Sequence, residues 1–251
     1  MLIDDILSDA KKRVEHIKTK SFRVQNRDVI RRIGAKQEEK KVPLIAEIKP
    51  SSPSEGRIRM IDAKEAVRIA KYLQDDVIAI SVLTEPKFFG GSIENLRAVR
   101  ESVDVPVLRK DFIIDSRQLQ EVESDMILLI TRVLGDDLNY FVNRAMFYGF
   151  EPVVEVHTKD EIKMAMRTPA RIIGINNRDL DTLKVDLSVT EELAPIIRDK
   201  GPQCMIISES GIENAADVEK VITAGADVVL VGTAIMQDIS KVKELVNALR
   251  V

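Results

Sequence analysis

Cysteine and histidine are scarce in this 251-residue chain, with one of the first and two of the second, and tryptophan is absent. A single cysteine cannot build a disulfide framework. Zinc sites need clusters that Cys204, alone in the apolar run CMII, does not provide. His16 and His157 lie far apart in sequence, so no histidine-rich metal motif is expected. No apolar run approaches the ~20 residues that span a bilayer. The N-terminus MLIDDILSDAKKRVEHIKTK carries acids early and lacks an apolar core followed by a small-residue cleavage site, so it does not read as a signal peptide. Charge of one sign is missing too. Lys+Arg 38 against Asp+Glu 41 leaves a net charge of -3, unlike the basic footprint of a nucleic-acid binder. These absences predict a reducing, cytoplasmic setting, with neither nucleic acid nor membrane as partner.

What the chain does have is rhythm. With 45% hydrophobic residues it can build a sizeable core. From residue 42 onward, short runs rich in Val and Ile recur: VPLIAEIK, VIAISVL, VPVLRKDF, MILLIT, EPVVEVH, RIIGINN, CMIISES and DVVLVGT. Continuous apolar runs suit parallel strands buried on both faces. Between them lie helical patterns. Asp62 caps a stripe of Ala66, Ile69, Ala70 and Leu73, and Tyr140 to Gly149 places Phe141, Val142, Ala145 and Met146 on one face. Ser188 with Glu191 reads as another helix start, and Ser240 as the cap of a last stripe, Val242, Leu245, Val246 and Leu249. Eight strand–helix units predict an α/β protein, a (β/α)8 TIM barrel over residues 41–251. It would form one domain with an N-terminal helical extension, residues 1–40, helical from about Ile3 to Ile33. The alternative is an open doubly wound sheet, but no G-x-G-x-x-G follows the first strand and the near-even repeats favour closure.

The strand ends carry the chemistry. In IAEIKPSSPSEG, Glu47 and Lys49 are two apart, hence on one face of a strand whose start is apolar. Arg109, Lys110 and Asp111 end the third run, Glu155 the fifth, Asn176 and Asn177 with Arg178 the sixth, and Glu209 and Ser210 the seventh. Active sites of such barrels lie at the C-terminal ends of the strands. Any one of these residues could be an ion pair solvating the rim; together they read as a catalytic mouth. Gly211 after the seventh run, with Gly232 and Thr233 after the eighth, occupies the usual barrel position for a phosphate, and Ser52 could add a hydroxyl.

The blocks IAEIKPSSPSEG, SVLTEPKFFGGS, VPVLRKDFIID, LLIT, EPVVEVH, IIGINNRDLDTL, ISESGI and VLVGTAIM, in this order, resemble the indole-3-glycerol-phosphate synthases of tryptophan biosynthesis. The resemblance runs from Ile45 to Met236. It implies a carboxy-lyase that converts 1-(o-carboxyphenylamino)-1-deoxyribulose 5-phosphate to indole-3-glycerol phosphate with loss of CO₂ and water, using neither cofactor nor metal. By motif position it implies Lys110 as general acid on the ketone oxygen and Glu155 as its acid–base partner. Lys49 would hold the substrate carboxylate and serve in the dehydration, with Glu47 orienting it or acting as base. Asn176, Glu209 and Ser210 would bind sugar hydroxyls or the anilino nitrogen. Ser52, Arg178, Gly211, Gly232 and Thr233 would bind the phosphate, and Phe89, Phe112, Leu129 and Leu230 would wall the aromatic ring. The extension would cover part of the catalytic face. The chain is expected to be a monomer, associating at most weakly with other enzymes of the tryptophan pathway. One departure from the family pattern is QLQEVESDMILL, about one turn short before the fourth strand, which predicts a stunted third helix with reduced contact to the sheet. A Schiff-base aldolase using Lys49 or Lys110 and a non-enzymatic phosphate-binding barrel remain as other readings.

Overall fold

The computed structural model describes residues 2–200 and 203–248. Its eight apolar runs become β1 (Leu44–Ile48), β2 (Ala79–Leu83), β3 (Val107–Lys110), β4 (Met126–Ile130), β5 (Glu151–Val156), β6 (Ile172–Asn176), β7 (Met205–Glu209) and β8 (Val228–Val231). Each pairs in parallel with its neighbours in sequence, and β8 returns to β1, closing a (β/α)8 barrel. Two-residue strands, Ser51–Ser52 and Gly56–Arg57, form a small hairpin in the loop after β1.

Around the barrel run α3 (Ala63–Leu73), α4 (Ile93–Ser102), α5 (Thr131–Leu134), α6 (Leu138–Tyr148), α7 (Lys159–Ala165), α8 (Ser188–Lys200), α9 (Ala215–Thr223), α10 (Thr233–Gln237) and α11 (Lys241–Val246), after the N-terminal α1 (Leu2–Val14) and α2 (Val29–Glu38). Asp62 caps α3 by accepting from the Glu65 N–H at 2.8 Å, and its four-residue stripe is fully buried. Three helical details differ from the sequence reading. Met146 is exposed while Leu138 and Tyr148 join Phe141, Val142 and Ala145 in the core, because the buried stripe of α6 is centred one position away. Ser188 is the first residue of α8, and its N–H is taken by Asp186. The Ser240 hydroxyl donates to Asp238 instead of capping α11. Leu249 lies outside the described residues.

The extension is split between the two ends of the barrel. Helix α1 sits on the C-terminal ends of the strands, tied by Arg13 to Asp111 at 3.1 Å. Helix α2 sits at the opposite end, burying Val29 and Ile33 against Ile45, Ile78 and Met126. The chain between them passes down the outside, with the Lys20 N–H bonded to Gln120 O and the Val24 N–H to Tyr148 O. This path lies where a third outer helix would run. Ser116–Gln120 forms only a five-residue 3-10 helix, and Phe22 and Val24 supply apolar cover beside it. Gly149, at φ +90°, makes room for the crossing, since a Cβ there would strike the Val24 carbonyl. No helix among the described residues is long and apolar enough to cross a membrane.

The barrel's stagger builds its interior in layers. Glu47 is level with Ser81, and Ser81 with Leu108, so the next inward residue at the same height on β3 is two positions on, Lys110. The same two-residue step leads to Glu155 on β5, to Glu209 on β7 and back to Glu47. Four steps of two give the shear of eight usual for this fold, and alternate strands fill each layer. The four charged residues thus form one layer from the odd strands. Ser81, Leu128, Gly174 and Leu230 from the even strands form the layer beneath.

Candidate active site

Residues two apart on β1 do share a face: Lys49 Nζ lies 3.4 Å from Glu47 Oε1. The other Glu47 oxygen is 3.1 Å from Lys110 Nζ, which also donates to Glu209 Oε2 at 2.7 Å. Glu155, buried, lines the same cavity as Lys49, Lys110 and Glu47. Two glycines make the crowding geometrically feasible. A Cβ at Gly232 or Gly174 would collide with the carboxylates of Glu47 or Glu209 respectively. Charge sets the protonation states. Burial alone would lower Lys110, but Glu209, Glu47 and Glu155 outweigh it and raise it above the ordinary lysine value. Burial alone would raise Glu47, yet Lys110 and Lys49 hold it below the usual carboxylate range. Glu209, buried and also near Glu155, is pushed up to about 7, since burial exceeds what Lys110 returns.

Two wings extend from this layer. One is apolar, formed by Leu2, Ile3 and Ile6 of α1 with Leu83, Phe89, Phe112, Leu128, Ile130, Leu180 and Leu183. The Phe89 and Phe112 rings stand 6.1 Å apart. The other is polar and includes Ser54, Glu55, Arg178, Ser210, Gly211, Gly232 and Thr233. Lys49, Lys110 and Glu47 border both. Ser210 and Gly211 adopt consecutive left-handed conformations, φ +68° and +83°, which turn the chain sharply at this wing. Glu55 occupies the polar wing, accepting from Thr233 Oγ1 at 2.8 Å and lying 3.6 Å from Arg178. Asn176 accepts from the Arg178 N–H at 3.0 Å, and Ser52 from the Glu55 N–H at 3.3 Å.

Most of the sequence-derived residues meet here, and five are not placed as expected. Leu129 faces outward into the helix layer, while its neighbours Leu128 and Ile130 line the cavity. A strand buried on both faces gives no alternation from which to choose, and a one-residue error moves the side chain to the other face. Arg109 also points outward, fully buried, donating to Gln118 O at 2.7 Å and Glu121 at 2.6 Å and to Asp111 at 3.2 Å. Asn177 ties the turn after β6 to Ser208 and to the Glu209 and Ser210 carbonyls. Glu209 bonds Lys110 without lining the cavity. Leu230, expected on the wall of the aromatic ring, lines the polar wing instead. The sequence reading missed the α1 contribution, Leu2, Ile3 and Ile6, whose only signal was the amphipathic stripe of that helix. It also missed Leu180, Leu183, Ser54 and Glu55, which lie on loops with no periodicity.

A family model described as indole-3-glycerol phosphate synthase matches residues 4–249. Proteins of that name from Aquifex aeolicus and Methanocaldococcus jannaschii are similar to this chain. The first is 45% identical over 211 residues, covering 81% of each protein, and the second 40% identical over 268 aligned positions, covering 98% of each. The protein of that name from Haloarcula marismortui is 46% identical over 200 residues, covering 78% of this chain and 72% of its own. Among solved structures, orotidine 5'-phosphate decarboxylase from Pyrococcus horikoshii superposes with a TM-score of 0.62 over 83% of this chain and 99% of its own. The N-acetylmannosamine-6-phosphate 2-epimerase from Clostridium perfringens gives 0.61 over 88% and 97%. Both are 17% identical, a likeness of fold alone.

Proposed function

The chain belongs to the indole-3-glycerol phosphate synthase family, a carboxy-lyase family of tryptophan biosynthesis, and on that premise we propose how its site handles 1-(o-carboxyphenylamino)-1-deoxyribulose 5-phosphate. The observation that carries the reading is the bipolar cavity, an apolar wing and a polar wing joined across Lys49, Lys110 and Glu47. A substrate with an aromatic ring at one end and a phosphate at the other fits that division.

The anthranilate ring enters between Phe89, Phe112, Leu128 and the α1 residues. The phosphate goes to Arg178, Thr233 and the backbone around Ser210, Gly211 and Gly232, with Ser52 nearby, and it displaces the Glu55 carboxylate. Lys49 then meets the substrate carboxylate. Lys110, kept charged by Glu47 and Glu209, gives a proton to the ketone oxygen as the ring carbon bonds to the carbonyl carbon. Its positive charge also favours the developing alkoxide. CO₂ departs, leaving its bonding electrons to restore the aromatic ring. Glu155 takes and returns a proton as the hydroxyl leaves as water and the indole forms. Asn176 and Ser210 hold the sugar hydroxyls. Lys110 regains its proton from solvent as product leaves, and we read the chain as a cytoplasmic monomer.

A Schiff-base aldolase would need a neutral lysine amine, which the carboxylates on either side of Lys110 oppose. A binding-only barrel would keep ligand affinity and have no turnover to lose. Both are separated from the synthase reading by following the rise of indole fluorescence with the carboxyphenylamino substrate. We expect turnover by the native protein and a fall of ~10²-fold or more in Lys110→Ala, the scale of a positioned general acid. No product from the folded native protein would overturn the proposal.

A further inference from the structure

His157 follows β5 directly and takes no part in the mechanism above, yet it is held from two sides. Its main-chain N–H donates to Glu161 Oε2 at 2.7 Å, and its ring Nδ1 lies 3.2 Å from the same oxygen. Glu161 is itself fixed at the start of α7, where its N–H donates to Thr158 Oγ1 at 3.2 Å. A carboxylate only accepts, so the Nδ1 position carries the hydrogen. The other ring nitrogen is then the one with a lone pair when the imidazole is neutral. That atom, Nε2, is buried and makes no hydrogen bond among the described residues, and it stands 3.4 Å from Glu155 Oε1.

A neutral Nε2 and an ionised Glu155 would be two acceptors facing each other out of water, an arrangement with a desolvation penalty and no bond to offset it. One proton between them removes the conflict. We propose that His157 is a positioning residue that shares a single proton with Glu155, holding it at Nε2 at rest, passing it through the carboxylate to the departing hydroxyl, and regaining one when the carboxylate takes a proton from substrate. In this step the Nε2–H breaks as a Glu155 O–H forms, that O–H breaks as the hydroxyl takes the proton and leaves as water, and the proton that the substrate then loses goes to Glu155 and back to Nε2. One proton enters and one leaves, and Glu155 is regenerated.

The surroundings favour a charged ring. Glu155 on β5, Glu161 on α7 and Glu209 on β7 all face it, against Lys110 on β3, which is already shared by Glu47 and Glu209, and Arg132 on α5, which pairs with Asp181. Burial lowers the imidazole, but these carboxylates outweigh it and hold it above the ordinary histidine value.

The inference rests on the proposed role of Glu155, and its test has one arm that needs no turnover. The chain has two histidines, so His16→Gln leaves a single imidazole to follow by nitrogen-15 NMR through a pH titration. The neutral ring should show the Nδ1–H tautomer, and adding Glu155→Gln should lower the titration midpoint. An Nε2–H tautomer, or a midpoint indifferent to Glu155→Gln, would overturn the shared proton. The second arm is the pH profile of turnover in His157→Gln, with His157→Asn as the variant that keeps a donor near Glu161 should the first fail to fold. We expect kcat to fall about 10-fold or more with KM within about two-fold, and the pH limb assigned to the pair to move. A loss of kcat with an unmoved profile would mean a merely structural histidine. If the native protein makes no product while the NMR arm succeeds, the functional reading fails and the proton pair stands.

Discussion

Glu47, Lys110 and Glu209 form a chain of charges in which each member fixes the state of the next. Lys110 keeps its proton because three carboxylates surround it, and Glu209 gives up much of its acidity because it is buried with one lysine beside it and Glu155 nearby. The consequence for stability has a definite sign. Glu209 titrates near 7 in the fold but near the ordinary glutamate value when unfolded. Between those two points the folded chain holds a proton that the unfolded chain has released. Its contribution is fully present below the unfolded value and is lost as pH rises toward 7. Glu47 works the other way, since its lowered value contributes stability that is lost on acidification. Glu209→Gln should therefore flatten the fall in stability across the window from about pH 4.5 to about 7. Urea unfolding at both ends of the window, in native and variant proteins, measures this; an equal slope in both would contradict it.

The 3-10 helix after β3 shows how neighbouring segments share a task. Its sequence is too short for an outer helix, so the sheet there would lose cover. The extended chain between α1 and α2 runs across the gap, and Arg109 turns away from the mouth to bind Gln118 and Glu121 on this segment together with Asp111. Asp111 in turn holds Arg13 of α1. A buried guanidinium thus joins the third strand to its shortened connection and, through Asp111, to the helix over the active site. Arg109→Ala leaves Asp111 buried with one partner fewer, and removing one member of a buried pair typically destabilises by about 3–5 kcal/mol. Chemical denaturation should register a change of that size. A loss under about 1 kcal/mol, the range of exposed pairs, would mean that the network contributes little.

Across the molecule, acidic and basic groups nearly balance. Among the described residues large exposed apolar side chains are few; Tyr140, Met146 and Phe147 share the outer face of α6 and Arg144 stacks on Phe147. So small a patch is within what monomeric proteins carry. Light scattering on the eluting protein should give the monomer mass at micromolar concentration, and a dimer mass would point to this face of α6 as the first place to look for the contact.

Sequence alone determined the local and repetitive features. Each apolar run is a strand because its own residues exclude other states, and eight such runs alternating with capped amphipathic stripes leave few closed arrangements. The placement of Glu47, Lys49, Lys110, Glu155 and Asn176 at run ends followed from the same reasoning. Tertiary structure decided what depends on register and on facing. Runs apolar on both sides carry no alternation, so Leu129 and Arg109 read as inward when they point out. The two-residue stagger that gathers Glu47, Lys110, Glu155 and Glu209 into one layer exists only once the barrel closes. Contacts between distant segments were equally hidden: α1 and α2 part to opposite ends, and a loop-borne Glu55 fills the polar wing. His157, as one of only two histidines, gave no sign in sequence of the carboxylates it meets from β5 and α7. Periodicity is a property of neighbours along the chain, whereas facing, register and burial are set by partners that the chain meets only on folding.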